Sequence, residues 1–448
     1  MTQTLPHRPA LFTPRATTSG AGRHGVTHNI DAAGLDLGQY LKAGDSVVFG
    51  QACGEPTTLI EALITQGADI SGLSAFIATS FSGIFTPETS ESFALSSMGA
   101  IGALRSMSKT HKLGIIPCHV GQVAPLIEQG LIGCDVAMVQ VSPADADGNH
   151  SFGLISDYVQ AAVAKARVVI AEVNPQVPYT YGELLPASRI DVAVHVDRSP
   201  LEVRPASISK TDEAIARHCA EFIGDGTVIQ TGVGAVPDAI LRLLHDRKDL
   251  GVHSGMLGDG LVDLAEAGAL TNARKEIDAG VSINGALIGT RRLYDHVNCN
   301  PSVRMTRSDY THSGAVLAQL SRLVTINSAM EVDLTGQVNA EGTGDAYLGG
   351  TGVQVDFVRA GVRSPGGHSI IALPATAKGG TISKIVPLLS GPVTTARSEV
   401  DIIVTEFGAA QLRGQNLVER ARQLVAIAHP DFRDELNKAA YIIEKRGF

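Results

Sequence analysis

No tryptophan occurs in the 448 residues, and aromatic side chains make up only 4% of them. A core with so few rings must be filled by aliphatics, and hydrophobic residues reach 44% of the chain. With 48 glycines, this composition favours Val/Ile/Ala-rich buried strands joined by tight turns, an α/β architecture. Excess positive charge is also missing. The net charge is −9 and Lys and Arg form no basic run, which argues against a nucleic-acid partner. No apolar run reaches the roughly 18 residues of a membrane span, and the arm MTQTLPHRPALFTPRATTSGAGRHG lacks the apolar segment of a secretory signal. A cytoplasmic protein without a membrane partner is expected.

Cysteine is scarce. Cys53, Cys118, Cys134, Cys219 and Cys299 are odd in number, widely spaced and free of CxxC pairing, which excludes a disulfide framework and a zinc site. They are expected to be buried thiols in a reducing compartment. His119, His253, His368 and His429 lack ligand-pair spacing such as HExxH, so no metal is expected. Ser254 has no GxSxG elbow around it, which counts against a hydrolase triad. SPADADGNHSFG lacks the closing glutamate of a calcium loop and reads as a turn.

What is present is a repeat. GDSVVFGQACGEPTTLIEAL, from residue 44, and DGTVIQTGVGAVPDAILRLL, from residue 225, align without a gap, pairing Val47 with Val228 and Pro56 with Pro237. Each copy reads as an acidic turn, a short apolar strand, a glycine loop, a proline and a helix with i, i+3/i+4 apolar spacing. The chain is long enough for two domains. The repeat predicts two similar halves, residues 1–205 and 206–448, split near the polar stretch DRSPLEVRPASISKTDE, where Thr211 is a candidate helix cap. Strand-like runs such as VAMVQVSP, ARVVIAEV, VTINSAMEV and DIIVTEFG alternate with helical stretches such as LVERARQLVAIA. The expected fold is α/β, two tandem domains with mainly parallel, helix-covered sheets.

Two glycine loops are candidates for binding. Gly232, Val233, Gly234 and Ala235 stand between a strand and a helix, where main-chain N–H groups and a helix N-terminus hold anions. Gly350, Thr351, Gly352 and Val353 place small residues beside an apolar segment, allowing a carbonyl to approach N–H donors as in an oxyanion hole, or forming only a bulged strand. GVHSGMLGDG, from residue 251, contains His253, Ser254 and Gly255 but no obvious nucleophile. Glu55 sits in the first repeat where the second has Val236, an asymmetry that a purely structural role shared by both copies would not need.

Taken in order, GEP (54–56), QVSPADADGNHSFG (140–153), GVGAVPDAIL (232–241), GDGLVDLAEAG (258–268), GTRRLYDHVNCNPSV (289–303), INSAMEVDLTGQV (326–338), GTGVQVDFVRAG (350–361) and IAHPDFRDEL (427–436) resemble the acetyl-CoA hydrolase/transferase family from about residue 35 onward. The nearest branch resembles the 4-hydroxybutyrate CoA-transferases, and a related one the itaconate and succinate CoA-transferases. The resemblance implies two CoA-transferase-type domains, assembled as a homodimer or larger. It implies CoA and acyl-CoA as substrates rather than bound cofactors, and small carboxylic acids as partners in exchange. It also implies CoA contacts at Gly232–Ala235, thioester contacts at Gly350–Val353, a phosphate contact at Lys378, and substrate contacts at His253, Ser254 and Gly255.

The family's glutamate nucleophile lies in an HTEM pattern, and here the same place reads His253-Ser254-Gly255-Met256, with Gly255 at the nucleophile position. Three expectations follow. Glu55 supplies the carboxylate, the acceptor acid attacks the thioester directly, or the chain binds acyl-CoA without catalysis. Transfer from succinyl-CoA to itaconate is the specific activity expected, with space at Gly255 for a second carboxylate. 4-Hydroxybutyrate or acetyl-CoA transfer and acyl-CoA hydrolysis are the alternatives.

Overall fold

The computed structural model describes residues 27–344 and 346–447, so the N-terminal arm read above for a secretory signal lies outside them. The first half is an eight-stranded sheet in which every pairing is parallel. Its centre is Ser46–Phe49, with Leu73–Phe76 on one side and Val136–Val141 on the other. Beyond Val136–Val141 come Val168–Val173, Val192–His195 and the edge strand His28–Asp31; beyond Leu73–Phe76 come Phe93–Ser97 and Leu113–Ile115. All six residues of Val136–Val141 are buried, as are all six of Val168–Val173. That is why these segments read as nearly continuous apolar runs, broken only by Gln140 and Glu172, rather than alternating ones: helices cover both faces of a parallel sheet.

The second half repeats the pairing order. Val228–Gln230 lies between Gly251–Val252 and Leu323–Asn327, and the sheet continues through His368–Ala372 and Ile402–Thr405 to a single antiparallel edge strand, Gly408–Gln411. In each half the repeat strand pairs with the strand that follows it on one side and a later one on the other. The sequence repeat is thus carried by topology. The helices after the two strands, Thr57–Gln66 and Ala235–Arg242, bury Leu59, Ile60 and Leu63, and Ala239, Ile240 and Leu241. Pro56 caps the first, and Pro237 falls in the first turn of the second, where a missing N–H leaves no helical bond unmade.

No strand of either large sheet falls between His195 and the helix Lys210–Ala220, and we keep the split at residues 205 and 206 as a proposal. The cap of that helix differs from the sequence reading. Ser209, not Thr211, is the N-cap: its hydroxyl accepts from the Asp212 N–H at 3.2 Å while Asp212 Oδ2 accepts from the Ser209 N–H at 2.9 Å. This reciprocal pair satisfies two otherwise orphaned donors, and Thr211 already lies inside the first turn. The cysteines need a second correction: four are buried, but Cys299 is exposed, just past the helix Arg291–Val297. The SPADADGNHSFG turn is observed, with Asp145 Oδ1 accepting from the N–H groups of Asp147 and Asn149. Among the described residues no helix is long and apolar enough to cross a membrane, and no group of three His, Cys, Asp or Glu side chains is placed to hold a metal ion.

One apolar cluster runs across the seam between the halves, joining Val48, Cys53, Tyr158 and Ile155 to Ile229, Leu257, Leu287 and Tyr294. Each half also keeps a private cluster, around Phe49 and Leu59 in the first and around Leu334 and Leu424 in the second. A short three-stranded sheet crosses the seam too, with Val303–Met305 at its centre between Ser282–Asn284 and Tyr181–Gly182. The halves therefore present a fixed crevice between them.

Candidate active site

The crevice has a volume of about 380 Å³ and takes its walls from both halves. Phe81, Gly102 and Arg105 come from the first, Arg204 from the connecting stretch, and Val233, Gly234, Asp238, Gly258 and Asp259 from the second. Of the four residues Gly232–Ala235, Val233 and Gly234 reach this surface. Gly234 has φ of +127°, a conformation that L side chains avoid, and it opens the helix Ala235–Arg242 as its N-cap. The charges are balanced, with two arginines and two aspartates. Asp259 is held by the Thr290 N–H at 3.0 Å and the Thr290 hydroxyl at 2.8 Å, while burial pushes the Asp238 carboxyl up to about 6.

The Gly350–Val353 loop does not form a bulged strand. It leads into the helix Gln354–Arg363 and is pressed against the first half. Ala100 N–H donates to the Gly349 carbonyl at 2.7 Å, Val120 N–H donates to the Gly352 carbonyl at 3.0 Å, and the Thr351 hydroxyl donates to the Cys118 carbonyl. The approach needs glycine on both sides, since a Cβ on Gly99 would sit 2.5 Å from the Gly349 oxygen. Lys378 is exposed at the tip of a hairpin between Thr376–Ala377 and Ile382–Ser383, and it does not line the crevice.

Glu55 does not face the crevice. It is 0% exposed, and its carboxylate is consumed by the loop that follows Leu73–Phe76. Oε1 accepts from the N–H groups of Phe81 and Ser82, and Oε2 accepts from the hydroxyls of Ser80 at 2.9 Å and Ser82 at 2.6 Å. Burial raises its pKa while these four donors act against the shift. The sequence asymmetry between Glu55 and Val236 is real, but what it reflects is a staple: the carboxylate fixes residues 80–82, and Phe81 from that loop forms a wall of the crevice.

His253 and Ser254 are also 0% exposed. Ser254 Oγ donates to the Thr231 carbonyl at 3.0 Å, tying the two loops of the second half together. The His253 ring stacks on Tyr310 at 6.0 Å, and burial, helped by the neighbouring Lys275 charge, lowers its pKa to about 3. Of the three residues read as substrate contacts, only Gly255 retains exposed surface. The space beyond it is not free for a second carboxylate. A Cβ at 255 would lie 2.7 Å from His312 Nε2 and 2.9 Å from its Cε1, with Val353 Cγ1 at 3.5 Å.

His312 is the residue that the sequence reading misses. It follows the short helix Ser308–Thr311, is 6% exposed, and is fixed from three sides. Its ring tilts against Phe357 at 4.8 Å, its Cβ would meet a side chain on Gly121 of the first half at 3.0 Å, and its Nδ1 lies 3.1 Å from the Ser308 carbonyl and 2.7 Å from Thr311 Oγ1. Nothing in SDYTHSG marks it, because its relation to Gly255 exists only through space. A second overlooked group is Asp157. It is 3% exposed, receives the Gln51 amide and the Tyr158 N–H, and is pushed by burial up to about 6. It abuts the site from beneath, its Cβ lying 3.2 Å from where Gly285 would carry one, and the Gly285 N–H bonds the Gly255 carbonyl at 3.2 Å.

Comparison with known proteins agrees with this organisation. Residues 35–204 match the acetyl-CoA hydrolase/transferase N-terminal domain and residues 289–440 the C-terminal domain. The chain is 40% identical to a 4-hydroxybutyrate coenzyme A transferase of Clostridium kluyveri, over 87% of this chain and 92% of that one. It is 35% identical to a succinyl-CoA:cyclohexane-1-carboxylate CoA transferase of Geobacter metallireducens, over 91% and 94%. Among solved structures, RipA from Yersinia pestis superposes with a TM-score of 0.88 at 33% identity, covering 93% of this chain and 98% of that one. Both halves, in their order and nearly full extent, place the chain in the acetyl-CoA hydrolase/transferase family, among enzymes of CoA transfer.

Proposed function

We propose that the protein exchanges CoA between small carboxylic acids, with succinyl-CoA as donor and itaconate as the first acceptor to test. The observation that carries this reading is the two-walled crevice. A loop with a left-handed glycine at a helix N-terminus and two arginines, Arg105 and Arg204, meet there around a volume that admits a pantetheine arm and a short acyl group. Guanidinium groups pair with carboxylates and phosphates in bidentate fashion, which suits a dicarboxylate and the CoA phosphates alike. The succinyl-CoA specificity of the Geobacter relative supports the choice of donor. Itaconate rests on the resemblance of the motifs alone.

In this reading Gly234 and Val233 contact the pantetheine or phosphates, and the Gly350–Val353 loop receives the thioester oxygen. Glu55 acts as a positioning residue for the Phe81 wall. CoA thioesters are substrates, and no permanent cofactor is part of the scheme. A homodimer or larger assembly and a cytoplasmic, reducing compartment belong to the same proposal. They are supported by exposed Tyr441 and Ile442 on the last helix and by the free thiols.

Incubation of the protein with succinyl-CoA and, in turn, itaconate, 4-hydroxybutyrate and acetate, with mass detection of new acyl-CoA, tests the function. New itaconyl-CoA is the expected result, and 4-hydroxybutyryl-CoA or acetyl-CoA in its place moves the acceptor. Thiol release without added acid identifies a hydrolase instead. Binding of CoA without any exchange marks a noncatalytic binder.

A further inference from the structure

The structure places an uncommitted ring nitrogen against Gly255, the position of the glutamate in the family pattern. His312 Nε2 is buried, has no hydrogen-bond partner among the described residues, and lies 2.7 Å from the position of a Cβ on Gly255. Its chemical state follows from the other ring nitrogen. Nδ1 is 3.1 Å from the Ser308 carbonyl oxygen, which can only accept, and 2.7 Å from the Thr311 hydroxyl, whose own proton can turn to the Arg307 or Ser308 carbonyl at 3.4 Å; we therefore assign the proton to Nδ1, which leaves a lone pair on Nε2. An unpaired buried polar atom is costly and uncommon in a native fold, and at functional sites it is a group awaiting its partner. Gly255 itself is half-buried and has no side chain, its Cβ position lies 3.5 Å from Cγ1 of Val353, the last residue of the proposed oxyanion loop, and Gly258, three residues on, lines the crevice.

We propose that His312 is the nucleophile of this chain, its Nε2 attacking the acyl-CoA carbonyl in place of the glutamate that Gly255 lacks. The inference rests on the CoA-transferase reading and deepens it. In the first step the Nε2 lone pair forms a bond to the thioester carbon and the C–S bond breaks. CoA leaves as a thiolate, and the ring becomes an acylimidazolium whose Nδ1–H is held by the Ser308 carbonyl. In the second step a carboxylate oxygen of the acceptor acid bonds to the same carbon and the N–C bond breaks, giving a mixed anhydride and the neutral ring. In the third, the CoA thiolate, which exchanges with free CoA while the acyl group stays on the ring, attacks the acceptor's carbonyl carbon, its C–O bond breaks, and the donor acid departs as a carboxylate. No proton, oxidant or metal is consumed, and thiolate and acylimidazolium form a neutralising pair while both are held.

Basicity does not argue against this role. Burial lowers the His312 pKa to about 4, close to the roughly 4.3 of an ordinary glutamate, so the ring is unprotonated at neutral pH and no weaker a base than the carboxylate it replaces. Imidazole is an established covalent catalyst of acyl transfer.

The test is isotope exchange. With succinyl-CoA and labelled free CoA, but no acceptor acid, an acyl-enzyme returns its acyl group to the labelled thiol, whereas direct attack by an acceptor carboxylate cannot. The wild type is expected to label succinyl-CoA. His312→Gln is expected to lose that exchange by more than about 100-fold while CoA binding, measured by calorimetry, persists. Gly255→Ala keeps the ring but sets a methyl group against Nε2, and it is expected to lose exchange as well, which covers the case in which the His312 variant does not fold. Exchange that survives in either folded variant overturns the inference. So does a wild type that transfers CoA to an added acid yet shows no exchange without one, and the transferase reading then stands alone. A wild type that neither exchanges nor transfers overturns that reading, and this inference with it.

Discussion

The loop after Ser46–Phe49 and the loop after Val228–Gln230 begin from one sequence pattern, strand, glycines, proline and helix, and differ at an aligned position: Glu55 in the first, Val236 in the second. In the first half the carboxylate turns inward and gathers four donors from residues 80–82. In the second no charge closes the loop, and Val233 and Gly234 stay open to the crevice. One copy is tied shut and the other lines the crevice. The difference teaches that a carboxylate standing alone in one of two repeats can mark the repeat that is tied shut.

The strongest way to break this comparison is Glu55→Ala. Four buried or half-buried donors would lose their acceptor at once, and each costs about 1–3 kcal/mol when unsatisfied, with partial relief from water. We expect a loss of about 4 kcal/mol, read as a shift of the urea midpoint at constant m-value. Unchanged stability with abolished turnover would reverse the assignment and return Glu55 to the chemistry.

Gly234→Ala probes the open loop. An added Cβ meets nothing within 4 Å, so sterics with neighbours are not at issue, but φ of +127° is strained for any L side chain. A cost of about 1–3 kcal/mol is expected, with weaker binding of acyl-CoA in calorimetry. Gly232→Ala sharpens the reading: its Cβ is also unobstructed and its φ lies outside the left-handed region, so its stability should stay within about 0.5 kcal/mol of wild type. Equal effects at the two glycines would mean that backbone conformation is not what the loop requires.

How much of this was legible beforehand depended on distance along the chain. VAMVQV and VVIAEV announced buried parallel strands because all but Gln140 and Glu172 in them are apolar, and the repeat announced the common pairing order of the halves. Local signals failed where two residues competed for one task, as with Ser209 and Thr211 at a helix start. They failed again where neighbours do not determine exposure, as with Cys299. The missing glutamate was visible at Gly255 from the family pattern. His312, which fills its place, was not, because no periodicity links a loop glycine to a histidine in a later helical turn that packs against it only in the folded chain.

Two histidines beneath the second half's loops give the pair of regions a pH signature that the first half does not share. His253 and His312 have pKa values lowered to about 3 and about 4 by burial, against about 6.5 in an unfolded chain. Between pH 6.5 and 4 the unfolded state binds protons that the folded state refuses, so stability is full above 6.5 and falls on acidification. Each group contributes at most about 1.4 kcal/mol per pH unit in that window. Urea unfolding at a series of pH values should show this slope in the wild type and a shallower one in His312→Gln. An unaltered slope would mean that the ring is already charged, or solvated, in the native protein.

The smallest effect is expected at Lys378, which the family resemblance offered as a phosphate contact. The side chain is exposed on a hairpin tip and stands apart from the residues that line the crevice, where Arg105 and Arg204 supply the positive charge. A solvated surface lysine with no side-chain partner among the described residues contributes within about 0.5 kcal/mol to stability. Lys378→Ala should therefore leave both the unfolding midpoint and the affinity for CoA unchanged, whereas Arg204→Ala should weaken CoA binding with a stronger dependence on salt removed. A Lys378→Ala variant that binds CoA about 10-fold more weakly would show that the hairpin folds over the ligand, and the binding surface would then extend beyond the two walls described above.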